Sequence, residues 1–537
     1  MRVSSRFHYV GHPVEVCVRT RVVTRGYVRT RGCRLAIAST PLLGLMLVLG
    51  CESTEPTPPP PPPQPVATVV VGPSTWAGPV GSGIVLSAFT YDASGMPLDR
   101  AATWATSTPT VAVVSPDGAV TVLAEGTATI TATSEMKSGT AAIEVWSLVF
   151  SSVSAGYGYT CGVTTAGLDA CWGLNPFGEL GTGTSAYDGF SAAVPALVTG
   201  DVTFAAVSAG GSDDSRRVSG AHTCGVTAAG AAYCWGSNYF GELGNGSTTG
   251  PTLCGNQYIV GPCAVTPVAV HGGIIFAAVS AGHHHTCGVT FSGAAYCWGL
   301  NLHGELGNGT TTDRDTPALV AGGVNFVAVS AGGNHTCGVT AAGGAYCWGL
   351  NANGQLGLGT TLGAEICNDA GDGFSCSRTP VAVHGGLSFG GVSAGRSHTC
   401  GVTTSGIAYC WGNNLYGKLG DGTTIDRDTT ALVTGGVNFI SVSAGYDHTC
   451  GVTTAGVAYC WGNNINGGLG DGTTNNRDTP APVVGGLSFT AVSAGGSNTC
   501  GVTLEGAAYC WGYGVSVYRG LWDWTATERH TPTRVGQ

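Results

Sequence analysis

Residues 442–470 read VSAGYDHTCGVTTAGVAYCWGNNINGGLG, and the same string returns along the chain. Its general form is V-S-A-G-x-x-H-T-C-G-V-T-x-x-G-x-A-Y-C-W-G-x-N-x-x-G-x-L-G, anchored on Cys161, Cys224, Cys287, Cys337, Cys400, Cys450 and Cys500. Successive anchors lie 63, 63, 50, 63, 50 and 50 residues apart, so the parent unit has 50 residues and three copies carry the same extra 13. β-Branched segments alternating with glycine turns read as four short strands per unit. One such unit cannot bury both its faces, whereas seven set radially pack face to face and leave few edges exposed. The expected fold is all-β, with a seven-bladed β-propeller over 147–537.

The strings A-G-x-x-H-T, then A-Y-C-W-G-x-N-x-x-G-x-L-G, then T-P resemble the regulator-of-chromosome-condensation repeat, and the resemblance extends through all seven copies. It implies a propeller scaffold. For function it implies two different things: some members are guanine-nucleotide exchange factors for a small GTPase, while some secreted bacterial propellers resembling the repeat inhibit β-lactamases. The last copy departs furthest. There Trp511-Gly512-Tyr513-Gly514 runs into Tyr518-Arg519-Gly520-Leu521-Trp522 before the pattern returns at Thr531-Pro532, and this copy is expected to close the ring against 146–153.

Every copy carries a second cysteine ten positions on, at Cys171, Cys234, Cys297, Cys347, Cys410, Cys460 and Cys510. The residues between them read as two strand halves around a glycine turn, which sets the two thiols opposite each other for a cross-strand disulfide. Zinc is the rival reading, but the short paired spacings usual for zinc are missing. Two further pairs, Cys254 with Cys263 and Cys367 with Cys376, lie in the longer copies. Cys17, Cys33 and Cys51 precede the repeats, so the 21 cysteines leave none over for a reactive thiol.

Ahead of the repeats the composition changes several times. Residues 1–50 form a long basic leader: eight arginines precede residue 35, with Glu15 the only acid, and LAIASTPLLGLMLVLG follows at 35–50. This is the layout of an export signal. Val48-Leu49-Gly50-Cys51 resembles the lipobox of bacterial lipoproteins, which implies lipidation at Cys51 and a membrane attachment through that lipid alone. An ordinary signal cut nearby would instead release a secreted protein. A leader this long is expected to reflect a true start near Val23 or Val28. Residues 51–65 include the prolines Pro58 to Pro63, an extended spacer. Residues 66–146 hold seven strand-like segments and resemble the group 2 bacterial immunoglobulin-like domain, with Trp104 as the expected core plug and Asp117-Gly118 as a hairpin turn.

Beyond residue 50 there are 13 basic and 30 acidic side chains, a balance that repels phosphate backbones and argues against nucleic-acid binding. The recurring His222, His285, His335, His398 and His448 have Tyr159 and Asn498 in their place in the first and last copies, so they are expected to build the fold. Neither a metal site nor a cofactor is expected. Asp313-Arg314-Asp315, Asp426-Arg427-Asp428 and Asn476-Arg477-Asp478 are expected as salt links within loops. A propeller hydrolase or lyase would need convergent His271, His384, Glu179, Glu242 or Glu305, all at repeat positions.

Departures from the repeat carry the functional reading. Longer loops at 184–194, 247–266 and 360–379 are expected on one face, and a polar insertion spans 212–221. Candidate binding residues in them are Asn256, Gln257, Tyr258, Asp369, Asp372, Phe374, Asp213, Arg216 and Arg217. Preordered loops on a stiff scaffold lose little entropy on binding. The expected protein is therefore a monomeric, lipid-anchored or secreted envelope scaffold that binds a protein or a glycan.

Overall fold

A computed structural model describes residues 18–24, 27–33, 63–80, 82–185, 192–211, 220–255, 260–363, 365–367, 373–513 and 529–535. Val18–Thr24 and Tyr27–Cys33 pair as antiparallel strands. Cys51, the lipobox junction and the prolines Pro58 to Pro62 lie outside the described residues.

Ten strands make up the immunoglobulin-like unit, more than the seven segments read from sequence. Thr75–Pro79 was missed because its Thr-Trp-Ala-Gly-Pro sequence shows no alternation. It nevertheless pairs in parallel with Lys137–Trp146, beside Gly126–Ser134 and Thr103–Thr106. Alternation then does its expected work: along Lys137–Trp146, Ala141, Ile143 and Val145 point inward to meet Leu86, Val120 and Ile130. Trp104 is not the plug between sheets. It is half-buried at the margin of that core, its ring over Gly118, whose φ of +87° makes the tight turn after Asp117.

From residue 150 onward the chain forms seven antiparallel sheets, each from contiguous sequence. Their first strands are Phe150–Ala155, Ala206–Ala209, Phe276–Ala281, Ala328–Ala331, Phe389–Ala394, Phe439–Ala444 and Phe489–Ala494. Blades 2 and 4 have five strands where four were expected, because the inserted segments fold back. Thr252–Gly255 pairs with Val260–Ala269, and Glu365–Cys367 with Phe374–Ala382, each adding an outermost strand.

Seven hydrophobic cores lie between neighbouring blades. In the one between blades 3 and 4, the Cys287–Cys297 bridge, Val289 and Leu306 meet Phe326 and Trp348 of the next blade. The last core joins Cys500, Val502 and Cys510 to Phe150 and Trp172, so blade 7 closes on blade 1 without exchanging a strand. Glycine is required where Phe326 lies against Gly338, because a Cβ there would strike the ring.

All seven cysteine pairs spaced by ten are bonded, directly opposite in register with Cα atoms 4.0–4.1 Å apart. Cys254–Cys263 and Cys367–Cys376 are bonded within the two extra hairpins.

Candidate functional site

Two rings of hydrogen bonds set the propeller axis. In the first, the Ser Oγ of each V-S-A accepts the Ala N–H of the adjoining blade at 2.9–3.0 Å, seven times, from Ser154 with Ala209 round to Ser493 with Ala155. In the second, the residue after each Ala-Gly donates its N–H to the adjoining glycine carbonyl, as from His283 to Gly332 at 3.1 Å and from Arg396 to Gly445 at 3.2 Å. A Cβ on any of Gly156, Gly210, Gly282, Gly332, Gly395, Gly445 or Gly495 would stand under 3.0 Å from the next glycine's oxygen. The A-G of the repeat is thus the close approach of seven backbones, around an axial cavity of about 80 Å³ that suits a few waters.

The recurring histidines fasten blade to blade. Nε2 of His222, His285, His335, His398 and His448 lies 2.8–2.9 Å from a Thr Oγ1 in the next blade. Thr399 gives its own hydrogen to the Gln355 carbonyl at 2.9 Å, so His335 must donate from Nε2. Burial lowers all five pKa values, to about 3 for His285 and His335 and about 4 for His448, which keeps the rings neutral near pH 7. Tyr159 and Asn498 serve the same seam, with the Tyr159 hydroxyl donating to the His222 carbonyl at 2.7 Å.

Glu179, Glu242 and Glu305 are buried in the same seams. Each backbone carbonyl accepts from a Thr hydroxyl and a Trp Nε1 of the next blade, as Glu305 does from Thr336 and Trp348 at 2.9 and 2.8 Å. Burial pushes the Glu179 carboxyl up to about 8. His271 and His384 are exposed beyond the ends of the fourth strands, so the structure does not bring them into one site with the glutamates.

Two of the three triplets make the expected salt links within their loops, though to an aspartate outside the triplet. Arg427 and Arg477 reach back six residues to Asp421 and Asp471, while Asp313 and Asp426 accept the N–H of Asn301 and Asn414. The short strand start holds each triplet extended, which turns adjacent side chains apart.

What the repeat does not explain gathers at one mouth of the axis. After Ala-Gly come Tyr157, Gly211, His283, Gly333, Arg396, Tyr446 and Gly496 in blades 1 to 7. The four large side chains meet across the ring. His283 stacks on Tyr446 with centroids 5.5 Å apart and planes at 11°, Tyr157 lies 5.8 Å from Tyr446, and the Arg396 guanidinium sits 4.0 Å above the Tyr446 ring. Arg396 is exposed, and among the described residues no carboxylate pairs with it. Sequence reading passed over this set. Its signal was available, since this position of the repeat changes residue type from copy to copy.

The same end of the propeller carries the loops after the third strands, because antiparallel order returns those loops to the end where the first strands finish. The inserted hairpins in blades 2 and 4 extend the fourth strands at that end. Of the candidate loop residues, Phe374 is 42% exposed, with its ring edge-on to His303 at 5.3 Å. His303 is held by Glu305 at 2.8 Å. Asn256, Gln257, Tyr258, Asp369, Asp372, Asp213, Arg216 and Arg217 lie outside the described residues.

Residues 213–537 match the RCC1-like domain family, which takes in blades 2 to 7. The chain belongs to that family. Residues 65–145 match the group 2 bacterial Ig-like domain. Among curated relatives of this RCC1-like chain is the ultraviolet-B receptor UVR8 of Arabidopsis thaliana, 30% identical over 283 residues, covering 52% of this chain and 57% of the receptor. The probable E3 ubiquitin-protein ligase HERC4 of Homo sapiens is 29% identical over 160 residues, which span 30% of this chain and 13% of the ligase. The chain thus spans little more than half, or much less, of these relatives. Among solved structures, yeast RCC1 (Prp20), crystallised bound to Kap60, superposes with a TM-score of 0.56 at 19% identity, over 72% of this chain and 85% of that one. Human WBSCR16 gives 0.55 at 20%, over 75% and 100%. These likenesses show the RCC1 propeller fold. The nine disulfides among the described residues and the bacterial Ig-like domain of this RCC1-like protein are features of an extracellular or envelope protein.

Proposed function

We propose that this chain is an exported, lipid-anchored envelope protein whose RCC1-like propeller binds a protein or glycan partner, with the Ig-like domain and proline spacer as its stalk. The observation that carries the reading is the placement of variation. Repeated residues are consumed in seams and rings, while the non-repeating axial side chains and both disulfide-bonded hairpins belong to one end of the disc. Rigid presentation of variable groups favours binding, because little conformational entropy is then lost. An exchange-factor role of the kind the family resemblance implies would need a cytosolic GTPase, which export would place out of reach. A hydrolase or lyase has less support, because its candidates His271 and His384 are exposed and apart from Glu179, Glu242 and Glu305, which are buried in the blade seams.

The test is capture from envelope and culture extracts by oxidised residues 66–537, beside a variant with 247–266 and 360–379 cut to the parent repeat length. Capture by the intact form alone supports a binding protein that uses those loops. Equal capture discards the loops, and no capture by either discards the binding reading. Metabolic labelling with a fatty acid, lost in Cys51→Ala, tests the anchor.

A further inference from the structure

The axial mouth has the composition and layout of an interaction hot spot. Such spots concentrate Tyr, Trp and Arg near the centre of an interface, within a rim that keeps water out. Here Tyr157, His283, Arg396 and Tyr446 occupy the centre, drawn from blades 1, 3, 5 and 6. On the same end, the loops after the third strands of blades 2, 5 and 6 expose Tyr239, Leu415 and Ile465, the last at 67%. Leu415 and Ile465, aliphatic and left in water, fit a protein surface better than a sugar, whose hydroxyls they cannot bond.

Charge identifies what the centre would take. Lys418 is spent on Asp447 at 2.6 Å, and Arg427 and Arg477 are spent on Asp421 and Asp471. Among the described residues no carboxylate takes up the fork of Arg396, which is exposed and braced on Tyr446. A guanidinium fork matches a carboxylate in two parallel hydrogen bonds, and flanking rings that exclude water strengthen such a pair. The backbone N–H groups around the mouth are already committed to the glycine ring, so the side chains must do the recognising.

We infer that the axial mouth is a recognition site for an acidic side chain on a partner protein's loop, with Arg396 pairing the carboxylate and Tyr157, His283 and Tyr446 packing its aliphatic stem. The inference rests on the binding reading above and deepens it. The chain beyond residue 50 has 30 acidic against 13 basic residues, so diffuse attraction of an acidic peptide is not expected and any binding is local.

The test is fluorescence anisotropy of a labelled (Glu-Gly)4 octapeptide against the whole chain with its disulfides formed, beside a (Gln-Gly)4 peptide and a labelled trigalacturonate. The glutamate peptide binds, the glutamine peptide does not, and Arg396→Gln weakens binding by about tenfold or more. Arg396→Lys retains part of it, since one ammonium replaces the fork. Arg314→Gln, which removes another exposed arginine, leaves it unchanged. Equal binding to Arg396→Gln, no binding at millimolar peptide, or Arg396-dependent binding of trigalacturonate alone would each overturn the inference. The two readings fail separately: a partner captured equally by wild type and Arg396→Gln refutes the axial site and leaves the scaffold standing. Absence of any captured partner refutes the scaffold, while the peptide titration still decides the mouth.

Discussion

Acidification tests the histidine seam most directly, and His335 is the cleanest place to look because burial alone lowers its pKa. The folded value is about 3 and the unfolded one about 6.5, so between them the unfolded chain binds a proton that the folded chain refuses. The stability contributed by neutral His335 is therefore complete above pH 6.5 and is lost as pH falls toward 3. At pH 5 the unfolded side chain has gained about 1.5 pH units of protonation, worth about 2 kcal/mol. Total stability also includes Glu179 and Asp169, whose raised values act with the opposite sign, so the quantity to measure is a difference. His335→Asn provides it, because Asn498 occupies the same position in blade 7 and does not titrate. Urea unfolding followed by tryptophan fluorescence, disulfides intact, is to be run on both proteins at pH 7, 6 and 5. Wild type is more stable at pH 7 by about 1 kcal/mol, the value of the bond to Thr399, and this lead shrinks by about 2 kcal/mol at pH 5. A lead that stays constant from pH 7 to 5 would show that His335 titrates alike in both states and would refute the buried neutral seam.

Three further changes read other parts of the scaffold. Gly332→Ala pushes a methyl against the Gly395 carbonyl and breaks the axial ring, for an expected loss of about 1–3 kcal/mol in thermal or denaturant unfolding. Asp169→Ala, which restores the alanine that blades 2 to 7 carry there, removes a buried carboxyl raised to about 7 by burial whose Oδ1 lacks a hydrogen bond. The variant is expected to be more stable by about 1–3 kcal/mol at pH 8, and the gain falls as pH drops below 7 because the folded carboxyl is then protonated in any case. Replacing Cys337 and Cys347 together by serine opens one 11-residue loop and costs about 2–3 kcal/mol, with a lowered unfolding midpoint and no change in the other blades' disulfides by mass spectrometry after alkylation.

Much of the fold could be read because its instructions are local and repeated. Cys and Cys ten apart, a glycine turn between them and A-Y-C-W-G after it place two strands in register within each unit, and Cys400 faces Cys410 as that spacing requires. The outer hairpins of blades 2 and 4 were legible only as insertions bearing cysteines, since short segments such as Glu-Ile-Cys carry too little pattern to mark a strand. In the Ig-like unit, Trp104 is expected at the centre as the large ring of an immunoglobulin-like sandwich, yet a ring over a turn glycine satisfies its burial at the margin.

The candidate site divided along the same line. Recurrence marked the histidines and glutamates as architecture, and their bonds across the seams account for that recurrence. Tyr157, His283, Arg396 and Tyr446 share one position of the repeat, but nothing in the chain near any one of them says that their side chains meet.

By itself, then, the sequence determined the number of blades, the strand pairs within each and the cysteine partners, because these depend on neighbours within about a dozen positions. The tertiary structure alone decided what meets on the axis. Tyr157 and Tyr446 are 289 residues apart and touch only because seven near-equal units close into a ring, so their contact is fixed by the sum of seven blade rotations, with no local pattern to announce it.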